Sequence, residues 1–160
     1  MWKYIFITIG SILLLGQLVQ PSRTVPAVDP AADLFSRTQA PEDVQQLVIG
    51  ACYDCHSYNT DYPWYAYVTP VNWILQDHIN EGREVLNFSR WDQYAGSEAA
   101  AECGEEMAEG EMPPVDYARM HAHAQLSAAD RDRLIAWFDG TGTARHQIDD
   151  DHHAEHDDDR

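Results

Sequence analysis

The sequence predicts an all-α protein, a small helical domain behind an N-terminal apolar helix. Two observations carry this. Apolar residues recur at three- and four-residue spacing in several segments, each with a start or stop signal, and no stretch alternates as a strand would. Proline at 21, 26 and 30 separates the first apolar segment from everything after it.

The first segment, "MWKYIFITIGSILLLGQLVQPSR", has no acidic residue and only Lys3 and Arg23 as bases. Its apolar run from Tyr4 to Val19 would be ~24 Å long as a helix. Residues 1–20 are therefore expected to be an uncleaved membrane anchor, with a cleaved signal peptide and a soluble product as the alternative. Either outcome exports the chain. Residues 21–40, rich in Pro, Ala and Ser, read as a linker.

The folded domain is expected over 41–140. "PEDVQQLVIGAC" opens with Pro41 and places Glu42 and Asp43 in a first turn, where acids suit the helix dipole. Val44, Leu47, Val48 and Ala51 follow at helical spacing, and the helix runs into Cys52. "TPVNWILQDHINEGREVLNF" predicts a second helix capped by Thr69 and opened by Pro70. Its inward stripe is expected at Val71, Leu75, His78, Gly82 and Val85. "SEAAAECGEEMAEG" predicts a third, capped by Ser97 and stopped by Gly110, with Ala100, Cys103 and Met107 on one face. "SAADRDRLIAWFDG" predicts the last, with Ser127 and Asp130 as a capping pair. Residues 141–160, with His146, His152, His153 and His156 among many acids, read as a disordered tail able to hold a metal only loosely.

Charge narrows the partners. The formal net charge is −17, from 27 acidic and 10 basic side chains. Such a chain repels phosphate backbones, so nucleic acid is excluded. Its electrostatic complement is a protein with a basic docking surface.

The chemistry lies in "GACYDCHSYNTDYPWY". Cys52, Cys55 and His56 form C-x-x-C-H, the attachment motif of c-type haem. Two thiols about one helical turn apart can each take one haem vinyl, and the next residue is placed to ligate the iron. An exported chain suits this chemistry. C-x-x-C alone also occurs in thioredoxin-like redox pairs and zinc sites. The first lacks its strand–helix context here. The second would need Cys103 with His121 or His123.

A low-spin carrier needs a sixth ligand. Met112 fits, between a helix stop and the pair Pro113–Pro114. His78 is the main rival, followed by His121 and His123. Met107 and Cys103 read as core. Tyr58, Tyr62, Trp64, Tyr65 and Tyr67 would wall the porphyrin.

"CYDCHSYNTDYPWY", "VNWILQDHINEGREVLNFSRW", "EMPPVDY" and "LSAADRDRLIAWF" occur in that order. Together they resemble the bacterial haem-binding-domain family, small exported proteins with a cytochrome c-like signature, over about residues 41 to 139. The resemblance implies one covalent haem at Cys52, Cys55 and His56, with Met112 as the matching distal residue. Where members commonly read "HP-A-LS", this chain reads "HAHAQLS", so His121 matches and the proline is absent.

The order of elements also matches a class I cytochrome c, giving a cytochrome c-like domain around one haem. The expected function is a monohaem c-type electron carrier with no catalytic residues. It would be anchored to the cytoplasmic membrane, facing the bacterial periplasm, and would serve a redox protein partner. A haem peroxidase or gas sensor with an open sixth position, or a structural zinc protein, are the alternatives.

Overall fold

The computed structural model describes residues 2–140. The acidic His-rich segment 141–160, expected to be a disordered tail, lies outside the described residues. All regular structure among the described residues is helical. The helices are α1 (Trp2–Gly16), α2 (Leu34–Thr38), α3 (Glu42–Ala51), α4 (Tyr53–His56), α5 (Val71–Val85), α6 (Trp91–Tyr94), α7 (Glu98–Ala101), α8 (Cys103–Glu109), α9 (Val115–Met120) and α10 (128–140). Short 3-10 turns at Pro30–Ala32, Trp64–Tyr67, Phe88–Arg90 and Ala122–Ala124 link them.

One core joins α3 to α10. Val44 and Val48 of α3 share a buried cluster with Leu134 and Phe138 of α10, and Arg133 pairs with Asp43 beside it. Tyr53, Phe88, Trp91 and Met107 complete it. α10 starts as its sequence demands: the Ser127 hydroxyl accepts from Asp130 N–H at 3.1 Å, and the Asp130 carboxylate accepts from Ser127 N–H at 3.3 Å. Ser97 caps α7, and Gly110 ends α8 in the left-handed region at φ 85°.

Three expectations need correction at the level of whole elements. The N-terminal helix is 15 residues long, ~22 Å at 1.5 Å per residue. Among the described residues no helix is long and apolar enough to cross a membrane. The stretch read as a linker carries α2, whose Leu34 is fully buried and whose Phe35 packs on the core. The helix expected over "SEAAAECGEEMAEG" is two helices, broken at Glu102.

α5 presents a different face from the one apolar periodicity selects. Asn72, Gln76 and Ile79 are buried, whereas Val71, His78 and Val85 are exposed. The buried amides reach partners outside the apolar stripe: Gln76 accepts from the Tyr62 hydroxyl at 3.0 Å, and Asn72 donates to Gln20 at 3.0 Å, while Asn72 Oδ1 is buried without a hydrogen-bond partner among the described residues. Thr69 does not cap α5; its hydroxyl donates to the Gly16 carbonyl at 3.1 Å.

Candidate functional site

The C-x-x-C-H segment is a single helical turn that begins where α3 ends. His56 N–H donates to the Cys52 carbonyl at 2.9 Å, and Cys55 N–H to the same carbonyl at 3.2 Å. Residues 52 and 55 are thus neighbours on one face.

The two spacer residues pin this turn from opposite sides. Tyr53 is buried, its ring stacked on Phe35 at 5.0 Å and Phe88 at 5.5 Å, with its hydroxyl donating to Asp33 at 3.1 Å. Asp54 accepts from Tyr117 Oη at 2.5 Å and from Asp61 N–H at 2.7 Å. Gly82 of α5 lets that helix close over the turn, since a Cβ there would stand 3.0 Å from the Cys55 carbonyl oxygen. Arg83 binds the Ser57 carbonyl at 2.7 Å and Thr60 at 2.8 Å, fixing the chain just beyond.

His56 Nδ1 lies 3.1 Å from the Leu86 carbonyl. A carbonyl only accepts, so Nδ1 carries the proton and Nε2 keeps its lone pair. Burial lowers the His56 pKa, with the Leu86 and Gly82 carbonyls pulling the other way. The imidazole is therefore neutral at ordinary pH, the form that ligates a metal. Cys52, Cys55 and Cys103 are all free cysteines. Burial pushes the Cys52 thiol up to about 12 and the Cys55 thiol up to about 11.

Met112 is half-buried and packs against the core that Cys52 also touches. Its backbone is held on both sides: Met112 N–H donates to the Glu106 carbonyl at 3.1 Å, and Arg131 donates to the Met112 carbonyl at 3.2 Å. Arg131 also donates to the Met107 carbonyl at 2.6 Å. Met107 is buried and Cys103 half-buried, as core residues.

The rival histidines are placed differently. His78 is on the exposed side of α5. His121 uses both ring nitrogens, Nδ1 with the Tyr117 carbonyl at 2.9 Å and Nε2 with Tyr65 Oη at 2.8 Å, and its ring stacks on Tyr117 at 4.1 Å. His123 is 3.3 Å from Tyr117 Oη. Among the described residues no group of three or more His, Cys, Asp or Glu is placed to hold a metal ion, so the zinc set through Cys103 is not assembled.

The aromatic run splits. Tyr65 bonds to His121, Tyr58 lies under Arg83 and Tyr62 under Arg23. Trp64 and Tyr67 are exposed. Tyr53, Asp54, Leu86 and Arg131 were missed by sequence reasoning. One signal was available: Arg131 is a base in the first turn of a helix, against the dipole, which asks for another partner.

The donors fit a haem bound through C-x-x-C-H: two reduced thiols on one helical turn, a neutral imidazole with Nε2 free, and a thioether packed on the same core. No curated protein and no solved structure matches the chain. The family model described as "Haem-binding domain" matches residues 11–140. With that match covering most of its length, on a fold that holds such a donor set, the chain belongs to the haem-binding domain family and takes haem as its cofactor.

Proposed function

We propose that the protein is a monohaem c-type electron carrier, with one haem joined by thioethers to Cys52 and Cys55 and ligated by His56 and Met112. The observation that carries this reading is the His56–Leu86 hydrogen bond, which fixes the tautomer and leaves Nε2 for iron. Bound haem supplies a one-electron iron couple, and methionine as sixth ligand raises its potential. The protein's own residues orient the imidazole, hold Met112 between Glu106 and Arg131, and anchor the cysteine turn through Tyr53 and Asp54. The packing of α3 against α10, through Val44, Val48, Leu134 and Phe138, supports a cytochrome c-like domain.

The apolar N-terminal segment would hold the carrier at the outer face of the bacterial cytoplasmic membrane. A redox protein with a basic surface would dock on the acidic segment from Glu98 to Glu111 that leads to Met112. The test is expression with c-type maturation machinery. Haem is expected to stay with the chain on a denaturing gel and to raise its mass by one haem, and Cys52→Ser with Cys55→Ser to abolish both. Haem that extracts into acidified organic solvent would overturn covalent attachment. A wild-type ferric protein that is high-spin and binds CO readily would favour a sensor or peroxidase instead.

A further inference from the structure

We propose that the folded domain makes a second contact with the bilayer, seating the uncharged aromatic face of residues 62–76 at the lipid headgroup level. This rests on the reading that the N-terminal segment enters the membrane, and adds a docking surface on the domain itself.

The face stands out by charge. No Asp, Glu, Lys or Arg occurs between Asp61 and Asp77, in a chain of net charge −17. The other long uncharged stretch is residues 4–22, which includes most of α1. Large apolar side chains of the face are in the open: Trp64 is 79% exposed, Ile74 57% and Trp73 48%, with Tyr67, Val68 and Val71 also exposed. Isolated exposed apolar residues are ordinary, but a grouping of this size marks an interaction site.

The occupant follows from continuity with α1. The chain leaving α1 is bonded directly to this face. Gln17 exchanges hydrogen bonds with Thr69, donating to its carbonyl at 3.3 Å and accepting from its N–H at 3.1 Å. Trp73 Nε1 donates to the Val19 carbonyl at 3.0 Å. Arg23 donates to the Ala66 carbonyl and lies over the Tyr67 ring at 4.4 Å. A bilayer that takes α1 is therefore brought against residues 62–76. From Tyr4 onward α1 carries no charge, and it is shorter than a hydrocarbon core, so its C-terminal end meets the boundary between acyl chains and headgroups. Trp and Tyr favour that boundary, with apolar rings and one polar atom each. The acids elsewhere keep the remaining surface off an anionic leaflet.

The test is photo-crosslinking of the haem-loaded full chain in vesicles whose lipids carry a diazirine either at headgroup level or at the acyl end. Adducts are mapped by mass spectrometry. Headgroup-level lipid is expected to label 62–76, and acyl-end lipid to label α1. Trp64→Asp with Ile74→Asp is expected to cut the 62–76 adducts several-fold, with α1 adducts and the Soret band unchanged. Labelling of α1 without 62–76 would overturn the second contact and leave the anchor standing. No labelling of either would overturn both. Cross-links between 62–76 of two copies, in place of lipid adducts, would assign the face to self-association and overturn the proposal.

Discussion

Met112 is set apart from its histidine rivals by what their side chains already do. His78 is on the outer side of α5, and His121 has both nitrogens engaged. The ferric protein is accordingly expected to be low-spin with the weak red charge-transfer band of methionine ligation. Met112→Ala is expected to abolish that band, lower the potential and admit CO, while His78→Ala leaves the spectrum unchanged. A low-spin ferric spectrum that lacks this band, survives Met112→Ala and is lost in His121→Ala would make the site bis-histidine, with His121 as the sixth ligand. Two tyrosines give a pH prediction. Burial and Asp33 raise the Tyr53 pKa, and burial and Asp54 raise that of Tyr117. Above about pH 10 the unfolded chain loses these protons first, so the fold binds more protons and stability falls as pH rises. Thermal melts across pH 8 to 11 are expected to show that fall, weakened in Tyr117→Phe; a flat profile counts against it. The C-x-x-C-H turn was legible in the sequence because its residue types and their spacing are local. The pinning roles of Tyr53 and Asp54 were not, since they act through residues distant in sequence, at 33, 35, 88 and 117.

Helix packing is decided by a few close approaches between elements. Gly50 of α3 meets the turn at residue 123, where a Cβ would stand 2.7 Å from the His123 carbonyl oxygen. Gly104 of α8 meets α10 through the Asp139 carboxylate, on a side chain that can rotate. Both are helical, so alanine gains ~1 kcal/mol of propensity at each. Gly50→Ala, which pushes on backbone, is expected to destabilise by ~1–3 kcal/mol, and Gly104→Ala to be near neutral. Denaturant melts of the two variants check the order, and equal midpoints would refute it. Helix starts and stops were readable at Ser97, Gly110, Ser127 and Asp130, where capping is local. The face of α5 was not. Periodicity counts apolar residues, whereas the buried positions include Asn72 and Gln76, whose partners Gln20 and Tyr62 lie outside the helix. Nor was α2, five residues long, whose Leu34 and Phe35 become core only once α4 and α6 are beside them.

Over the whole molecule, charge is segregated. Glu98, Glu102, Glu105, Glu109 and Glu111 are exposed along α7, α8 and the approach to Met112, while residues 62–76 carry none. Association with a basic redox partner is expected to slow steeply between low and physiological salt. Stopped-flow rates that ignore ionic strength would reduce the acids to solvation. Residues 16–23 leave no slack between the apolar helix and the domain. A free linker of n residues would reach roughly 5–6 Å × √n from its root. Gln17, Gln20 and Arg23 instead clasp Thr69, Tyr67 and Ala66. A carrier held this way would not swing on a leash. It would drift sideways at one fixed height, and only a partner whose docking site opens at that height would meet it.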